Sequence, residues 1–172
     1  MTPDLQAALT RLLAWRAVRP DAAWLGVPTA ALETEGLTVR VPTAIGPGLT
    51  LSQAARRRLE LSPHVTGEMT VAAALYLQDA RDVLQQAGFT RLRPGRGVFR
   101  VVTGPNGRPH PVLGRFTQGG YSRKAIQAHI QTLEPDLLAR QVALVLVHPD
   151  ERAVCFTHPR LRVIHGLPRW ST

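Results

Sequence analysis

Leucine recurs at helical spacing at the beginning of the chain. The pattern predicts a helix that runs to about Arg19. Its apolar positions are Leu5, Leu9, Leu12, Leu13 and Val18, with Arg11, Arg16 and Arg19 at polar positions. Thr2 is placed as a capping residue, and Pro3 follows at the first helical position, where a missing N–H costs nothing.

Two short helices and a β-hairpin are expected next. Residues 21–25 and residues 29–35 have helical composition, and each segment is followed by a glycine suited to the left-handed cap position. Residues 37–41 alternate as a strand, and residues 49–51 are placed to return beside them after a loop. With a helix over residues 52–61, this order outlines a winged helix-turn-helix.

The recognition helix of that winged helix is short and lacks basic residues. Glu33 and Glu35 lie on or beside it, and their negative charge disfavours the reading of base edges in DNA. A protein-contacting or structural role for this lobe and a DNA-reading role are both open.

The second half begins after a hinge at residues 62–68. Beyond it, apolar residues form the broad stripe of a long helix, capped by Thr70, that runs to Ala87 and ends at Gly88. The helix is expected to be continuous.

A meander of three strands follows this helix. Residues 90–93, 98–102 and 110–116 are rich in strand-forming residues, and glycine-containing turns at residues 94–97 and 104–107 separate them. Turns this short predict antiparallel neighbours in one sheet. Alternation along the strands predicts that Arg91 and Arg93 project together, and that Phe99 and Val101 pack on the preceding helix and leave Arg100 facing out.

A further helix and more strands complete the chain. The helix is expected from Ser122 to about Ala139, with a break before Pro135. Residues 142–147 are all apolar, which is typical of a buried central strand. Residues 152–156 and 161–164 are expected to close the sheet.

The order helix, three strands, helix, strand from Thr70 to Val147 is the core topology of restriction-endonuclease-like domains. Residues 93–130 read RPGRGVFRVVTGPNGRPHPVLGRFTQGGYSRKAIQAHI, and this text resembles the C-terminal part of replication-relaxation proteins of plasmids and other mobile elements. The positions that match the family pattern are Pro94, Gly97, Val98, Phe99, Gly107, Arg108, Pro109, Gly120, Ser122, Arg123 and Lys124. The resemblance implies a winged helix that leads into a nuclease-like module.

The chain departs from that family where the metal-binding acids would stand. Gly95 or Arg96 replaces the aspartate, and Gly114 and Arg115 stand on the strand that would carry the glutamate. Nucleases of this architecture need converging carboxylates to hold Mg²⁺, so the resemblance implies a module without catalytic acids.

The expected fold class is therefore α+β. A winged-helix-like domain is predicted over residues 1–62, and a restriction-endonuclease-like αβββαβ domain without catalytic function over residues 63–172.

The formal net charge is +9, and the charge excess lies in the second half of the chain. No acid occurs between Asp82 and Glu134. The basic residues of that interval are the candidate nucleic-acid contacts: Arg91, Arg93, Arg96, Arg100, Arg108, Arg115, Arg123 and Lys124. One-sided positive charge is typical of a polyanion-binding surface, and a solvated basic face is the alternative.

A phosphate-binding loop is expected directly before the last predicted helix. Gly119, Gly120, Tyr121 and Ser122 lead into it, and the free amides and positive dipole end of a helix favour an anion there. Backbone phosphate is the expected ligand rather than ATP, and a purely structural turn is the alternative.

These features predict a DNA-binding protein that contacts mainly the phosphate backbone of double-stranded DNA. The resemblance implies a role in replication or regulation of a plasmid or mobile element. The alternatives are a protein-interaction or dimerisation adaptor, with a homodimer, and a metal-dependent nuclease. The nuclease would require Asp79 and Asp82 to meet Asp150 or Glu151.

No cofactor and no metal are expected. His148, Cys155 and His158 match no closed zinc spacing, and the single cysteine excludes an intramolecular disulfide. The apolar runs are short and the first residues lack a secretory pattern, so a cytoplasmic protein without a membrane partner is expected.

Overall fold

The computed structural model describes residues 2–64, 66–95, 99–114, 123–148 and 157–165. Within these ranges the chain is a mixed α+β protein with six α-helices and two sheets. It divides into two compact units, unit 1 (residues 1–75) and unit 2 (residues 76–172), and the division falls inside a helix. No described helix is long and apolar enough to cross a membrane.

Unit 1 opens with helix α1, Pro3–Trp15. The hydroxyl of Thr2 accepts a backbone N–H of the first turn at 3.3 Å, so the predicted cap is confirmed. The prediction that this helix reaches Arg19 is wrong, because Val18 forms an antiparallel bridge with Leu49 and takes the chain out of the helix.

The next elements are a 3-10 turn at Ala23–Leu25, α2 at Thr29–Thr34, β1 at Thr38–Val41, β2 at Gly48–Leu51 and α3 at Gln53–Arg58. The glycine caps after the two short helices are confirmed: Gly26 and Gly36 have φ of +84° and +64°. The hairpin is also present, since β1 and β2 pair antiparallel with Thr38 opposite Leu51.

The core of unit 1 is made largely by leucines from α1, the 3-10 turn, α2 and β2. Leu9, Leu12, Leu25, Leu32 and Leu49 are fully buried together. At Gly48 a Cβ would lie 2.6 Å from Cγ1 of Val71, so the glycine lets the helix that begins at Glu68 approach β2 closely.

The predicted long helix is two helices, α4 at Glu68–Asp79 and α5 at Arg81–Gln86. The prediction of one helix is wrong because Ala80, with ψ near 0°, forms a turn between them. Neither glycine nor proline marks this position, so the hydrophobic pattern contains no sign of the interruption. The predicted stop is confirmed, since Gly88 has φ of +84°.

Unit 2 is built on a five-stranded sheet. Its strands are β3 at Thr90–Pro94, β4 at Arg100–Thr103, β5 at Pro109–Gly114, β6 at Leu144–Val147 and β7 at Leu161–Ile164, and they lie in chain order. The first three form the predicted antiparallel meander, whereas β6 is parallel to both β5 and β7. All four residues of β6 are buried, as predicted for residues 142–147. The strand predicted at residues 152–156 lies outside the described residues.

Helix α6, Arg123–Arg140, covers one face of this sheet. Its buried residues Ile126, Ile130 and Leu137 pack with Leu113 and Leu144 of the strands. The predicted break before Pro135 is wrong. Pro135 and Gln131, whose carbonyl loses its hydrogen bond, are both exposed, so the interruption lies on the solvent side of the helix.

Candidate nucleic-acid interface

The outermost strand of the described sheet, β3, carries the first two candidate cations. Between Thr90 and Arg93 the strand advances by three residues while its partner β4 advances from Thr103 to Val101 by two, so β3 contains one extra residue. Arg91 lies in this bulge with φ of +53°, a conformation that costs a residue with a side chain about 1 to 3 kcal/mol.

The bulge places Arg91 and Arg93 on different sides of the sheet. Arg91 lines a surface groove together with Val102. Arg93 is paired with Val101 and shares its face of the sheet, which is the face opposite to that of Val102. The prediction that the two arginines project together is therefore wrong, because simple alternation does not survive an inserted residue. Both side chains are exposed and form no hydrogen bond or ion pair with other described residues.

The groove beside β3, here called the β3 groove, has a volume of about 230 Å³. Its walls come from α5, β3 and the turn between them, and they include Arg81, Gln85, Phe89, Thr90 and Arg91. None of the described residues that line it is acidic. Two guanidinium groups therefore face one concave surface without a compensating carboxylate in its lining.

The floor of this region is rigid because Phe89 is packed from two directions. Phe89 is fully buried, the guanidinium carbon of Arg162 lies 4.8 Å from its ring centroid, and the ring of His110 meets it edge to face at 5.4 Å. Arg162 also donates to the carbonyl of Ala87 at 3.2 Å. Arg162 thus serves the packing of unit 2, although sequence alone marks it as one more surface cation.

Arg100 is buried, with 2% of its surface exposed, so the expectation that it faces solvent is wrong. The reason lies in the two neighbours on its strand. The ring of Phe99 meets that of His129 on α6 at 5.5 Å, which turns Phe99 and Val101 toward α6. Arg100 and Val102 consequently occupy the other face, where both side chains are buried.

Arg108 lies at the opposite end of the sheet from the start of α6. Its Nη1 donates to the carbonyl of Arg140 at 3.1 Å and to Oε1 of Gln141 at 2.8 Å. Because α6 rises 1.5 Å per residue, Arg108 is about 25 Å from the exposed residues Arg123 and Lys124 at the other end of the helix. The structure does not bring these candidates together.

The remaining candidates lie outside the described residues. They are Arg96, Arg115, and the predicted phosphate-binding loop Gly119, Gly120, Tyr121 and Ser122.

Two arginines of unit 1 donate hydrogen bonds to backbone carbonyls of distant segments, and a third forms an ion pair. Nη1 of Arg11 donates to Leu25 at 2.6 Å, and Nη1 of Arg19 donates to Ile45 at 2.8 Å. Arg40 on β1 pairs with Glu33 of α2 at 3.1 Å. The charge of the hairpin is thus engaged by the acidic helix that sequence analysis identified as a poor reader of DNA.

A second concave surface lies on unit 1, and sequence reasoning missed it. It is lined in part by Arg16, Arg56 and His64, which are up to 48 positions apart in the chain. No signal in the sequence indicated it, because the predicted helix ran past Arg16 to about Arg19, whereas in the structure Arg16 directly follows α1 with φ of +69°.

The described residues contain no group of three or more His, Cys, Asp or Glu placed to hold a metal ion. Comparison of the chain with protein-family models, with curated proteins and with solved structures gave no match.

Proposed function

We propose that this protein binds double-stranded DNA mainly through its phosphate backbone, and that the β3 groove makes the contact. The observation that carries the proposal is the pairing of Arg81 and Arg91 in a groove whose described lining contains no carboxylate. Phosphate is the anion that DNA presents continuously, and arginine binds it in a fixed geometry through parallel N–H groups.

Long-range charge supports the same choice. The formal net charge is +9, and the acid-free interval from residue 83 to residue 133 contains β3, β4, β5 and the first half of α6. Arg93 on the other side of β3, and Arg123 and Lys124 on α6, are exposed. A field of this kind steers a polyanion to the surface before specific contacts form.

The order of elements supports the architecture expected from the family resemblance. In unit 1 a helix, the bridge at Val18, two short helical segments and a hairpin follow one another as in a winged helix. In unit 2 a helix, three antiparallel strands, a helix and a parallel strand follow as in a restriction-endonuclease-like core. The proposed setting, replication or regulation at plasmid or mobile-element DNA, rests on the motif resemblance alone.

A purely structural role of the same arginines makes a different prediction. Charged residues on an edge strand also prevent a second chain from adding to the sheet. If protection of the edge were their whole purpose, loss of Arg91 and Arg93 would promote association of the protein and leave its DNA affinity unchanged.

The test compares two variants that lose the same charge. R81Q/R91Q removes the two exposed arginines that line the β3 groove, and R57Q/R58Q removes two exposed arginines from α3 in unit 1. Fluorescence anisotropy with a labelled 20-base-pair duplex, repeated at several salt concentrations, gives the affinity and its salt dependence. With four to six phosphate contacts, the slope of log K against log salt is expected near about −4 to −5 for the unmodified protein.

R81Q/R91Q is expected to bind about tenfold more weakly, with a slope smaller by about 2, because each lost phosphate contact removes close to one unit. R57Q/R58Q is expected to keep both the affinity and the slope to within about twofold. Absence of binding by the unmodified protein at low salt, or equal losses in the two variants, would refute the β3 groove as the DNA contact. Incubation of plasmid DNA with Mg²⁺ or Mn²⁺ is expected to leave it uncut.

A further inference from the structure

A cavity of about 370 Å³ opens on unit 1, at the place where α1 ends and α4 begins. Its lining includes three leucines, Leu12, Leu13 and Leu51, and the side chains of Arg16, Arg56 and His64. None of the described residues that line this cavity is acidic, so its polar lining is entirely basic or neutral.

Both arginines are fixed by contacts of the surrounding chain. The hydroxyl of Thr50 on β2 donates to the carbonyl of Arg16 at 2.7 Å, which anchors the backbone of Arg16 beside the sheet. Nε of Arg56 donates to the carbonyl of Ser62 at 2.6 Å. This bond uses one of the five N–H groups of the guanidinium and orients the group as a whole. The guanidinium of Arg56 and the backbone of Arg16 are thus positioned before any ligand arrives.

The beginning of α4 adds hydrogen-bond donors to the same cavity. Thr66, Gly67 and Thr70 line it, and the N–H groups of Thr70 and Val71 bond to the carbonyl of Gly67 at 3.0 Å. The N–H groups that precede them in the first turn have no acceptor within the helix, and they add a partial positive charge at this end. The threonine hydroxyls are further donors to an anion.

We propose that this cavity binds the phosphomonoester group of a small organic molecule, with a mononucleotide as the representative of that class. Two guanidinium groups, hydroxyls and a helix start suit a dianionic phosphate, whose oxygens accept several strong hydrogen bonds. The volume lies at the lower end of the range for small-molecule sites. That is more space than phosphate alone requires. The three leucines of the lining can contact the organic part of the ligand.

The chemistry of the lining favours one of two sources of phosphate. A diester in a DNA backbone continues on both sides of the phosphorus, whereas a monoester ends there and presents three oxygens to the guanidinium groups and hydroxyls. All the lining residues belong to unit 1, and the β3 groove belongs to unit 2. The two proposals therefore stand on different residues, and each can fail without the other.

The test uses the full chain in phosphate-free buffer and measures binding by calorimetry together with the shift in Tm. The probes are adenosine monophosphate, adenosine, inorganic phosphate, and a short single-stranded oligonucleotide without a terminal phosphate. Adenosine monophosphate is expected to bind and to raise Tm, inorganic phosphate to bind more weakly, and adenosine and the oligonucleotide to leave this site empty.

Three variants assign the binding to this cavity. R16Q is expected to weaken adenosine monophosphate at least tenfold because it removes a charged donor. H64Q changes an exposed side chain and is expected to weaken binding severalfold without loss of folding, so it tests the site even if R16Q is unstable. R57Q, an exposed neighbour outside the cavity, is expected to bind as the unmodified protein does.

Four results would overturn the proposal. They are no binding of either phosphate probe, equal binding of adenosine, binding of the oligonucleotide that R16Q and H64Q abolish, and an R57Q variant as weak as H64Q. Salt-dependent binding of duplex DNA that persists in R16Q and H64Q would leave the β3 groove supported while this test decides the cavity.

Discussion

Nδ1 of His110 lies 3.1 Å from the carbonyl oxygen of Ala143, so the imidazole of β5 is held against the segment that leads into β6. The ring is 9% exposed and packs edge to face on Phe89. Burial, opposed in part by the bond to Ala143 and aided by the nearby charge of Arg162, lowers the pKa of His110 below its ordinary value of 6.5.

This lowered pKa predicts a loss of stability in mild acid. Between the ordinary pKa and the lower pKa of the folded state, the unfolded chain binds more protons, so the free energy of unfolding is fully present above about pH 6.5 and falls as the pH drops below it. Urea denaturation at pH 5, 6, 7 and 8 measures this. The variant H110F, which cannot titrate, is expected to flatten the dependence. H64Q removes an exposed histidine and is expected to retain it; a flat profile in the unmodified protein would contradict the prediction.

The contact of Gly114 with Leu77 predicts a strong effect of one methyl group. A Cβ at Gly114 would lie 2.6 Å from Cγ of Leu77 and 2.9 Å from Cδ1 of Tyr76. G114A is expected to lower the free energy of unfolding by about 1 to 3 kcal/mol, because the helix must move away from the strand. In the double variant G114A/L77A the new methyl occupies space that the leucine vacates. A double-mutant cycle by denaturation should therefore show less destabilisation than the sum of the two single changes.

The carbonyl contacts of Arg11 and Arg19 predict that these residues support folding and not DNA binding. R11Q and R19Q are each expected to lower the free energy of unfolding by about 1 to 3 kcal/mol, since a charged hydrogen bond to a backbone carbonyl is lost. R57Q, at an exposed position, is expected to change it by less than about 0.5 kcal/mol. Denaturation and duplex anisotropy measure the two properties separately. A stable R11Q that binds DNA poorly would identify unit 1 as the DNA contact.

The sequence alone determined where several helices begin and end. Thr2 caps the first helix, and Gly26, Gly36 and Gly88 stop helical segments at positive φ, because capping and left-handed turns depend on the residue itself. The meander and the buried strand β6 were also predictable, since short turns impose antiparallel pairing and a wholly apolar run needs cover on both faces.

The candidate site was only partly accessible to the same reasoning. The position of the charge was visible as the acid-free interval, and it contains Arg91 and Arg93, which are exposed. The burial of Arg100 was not visible, since alternation says which residues share a face but not which helix covers that face. The cavity of unit 1 was out of reach because Arg16, Arg56 and His64 meet only after folding.

The tertiary structure decided at which positions the local preference for helix or strand is not followed. Ala80 interrupts a helix without glycine or proline, Pro135 continues one because its turn faces water, and the bulge at Arg91 separates two arginines that alternation would place together. In each case the local preference amounts to a few kcal/mol at most, and the burial of neighbouring apolar side chains exceeds it. Helix caps and turns could therefore be predicted from the sequence. Which face of a strand is buried, and where a cavity forms, depended on which elements pack against each other.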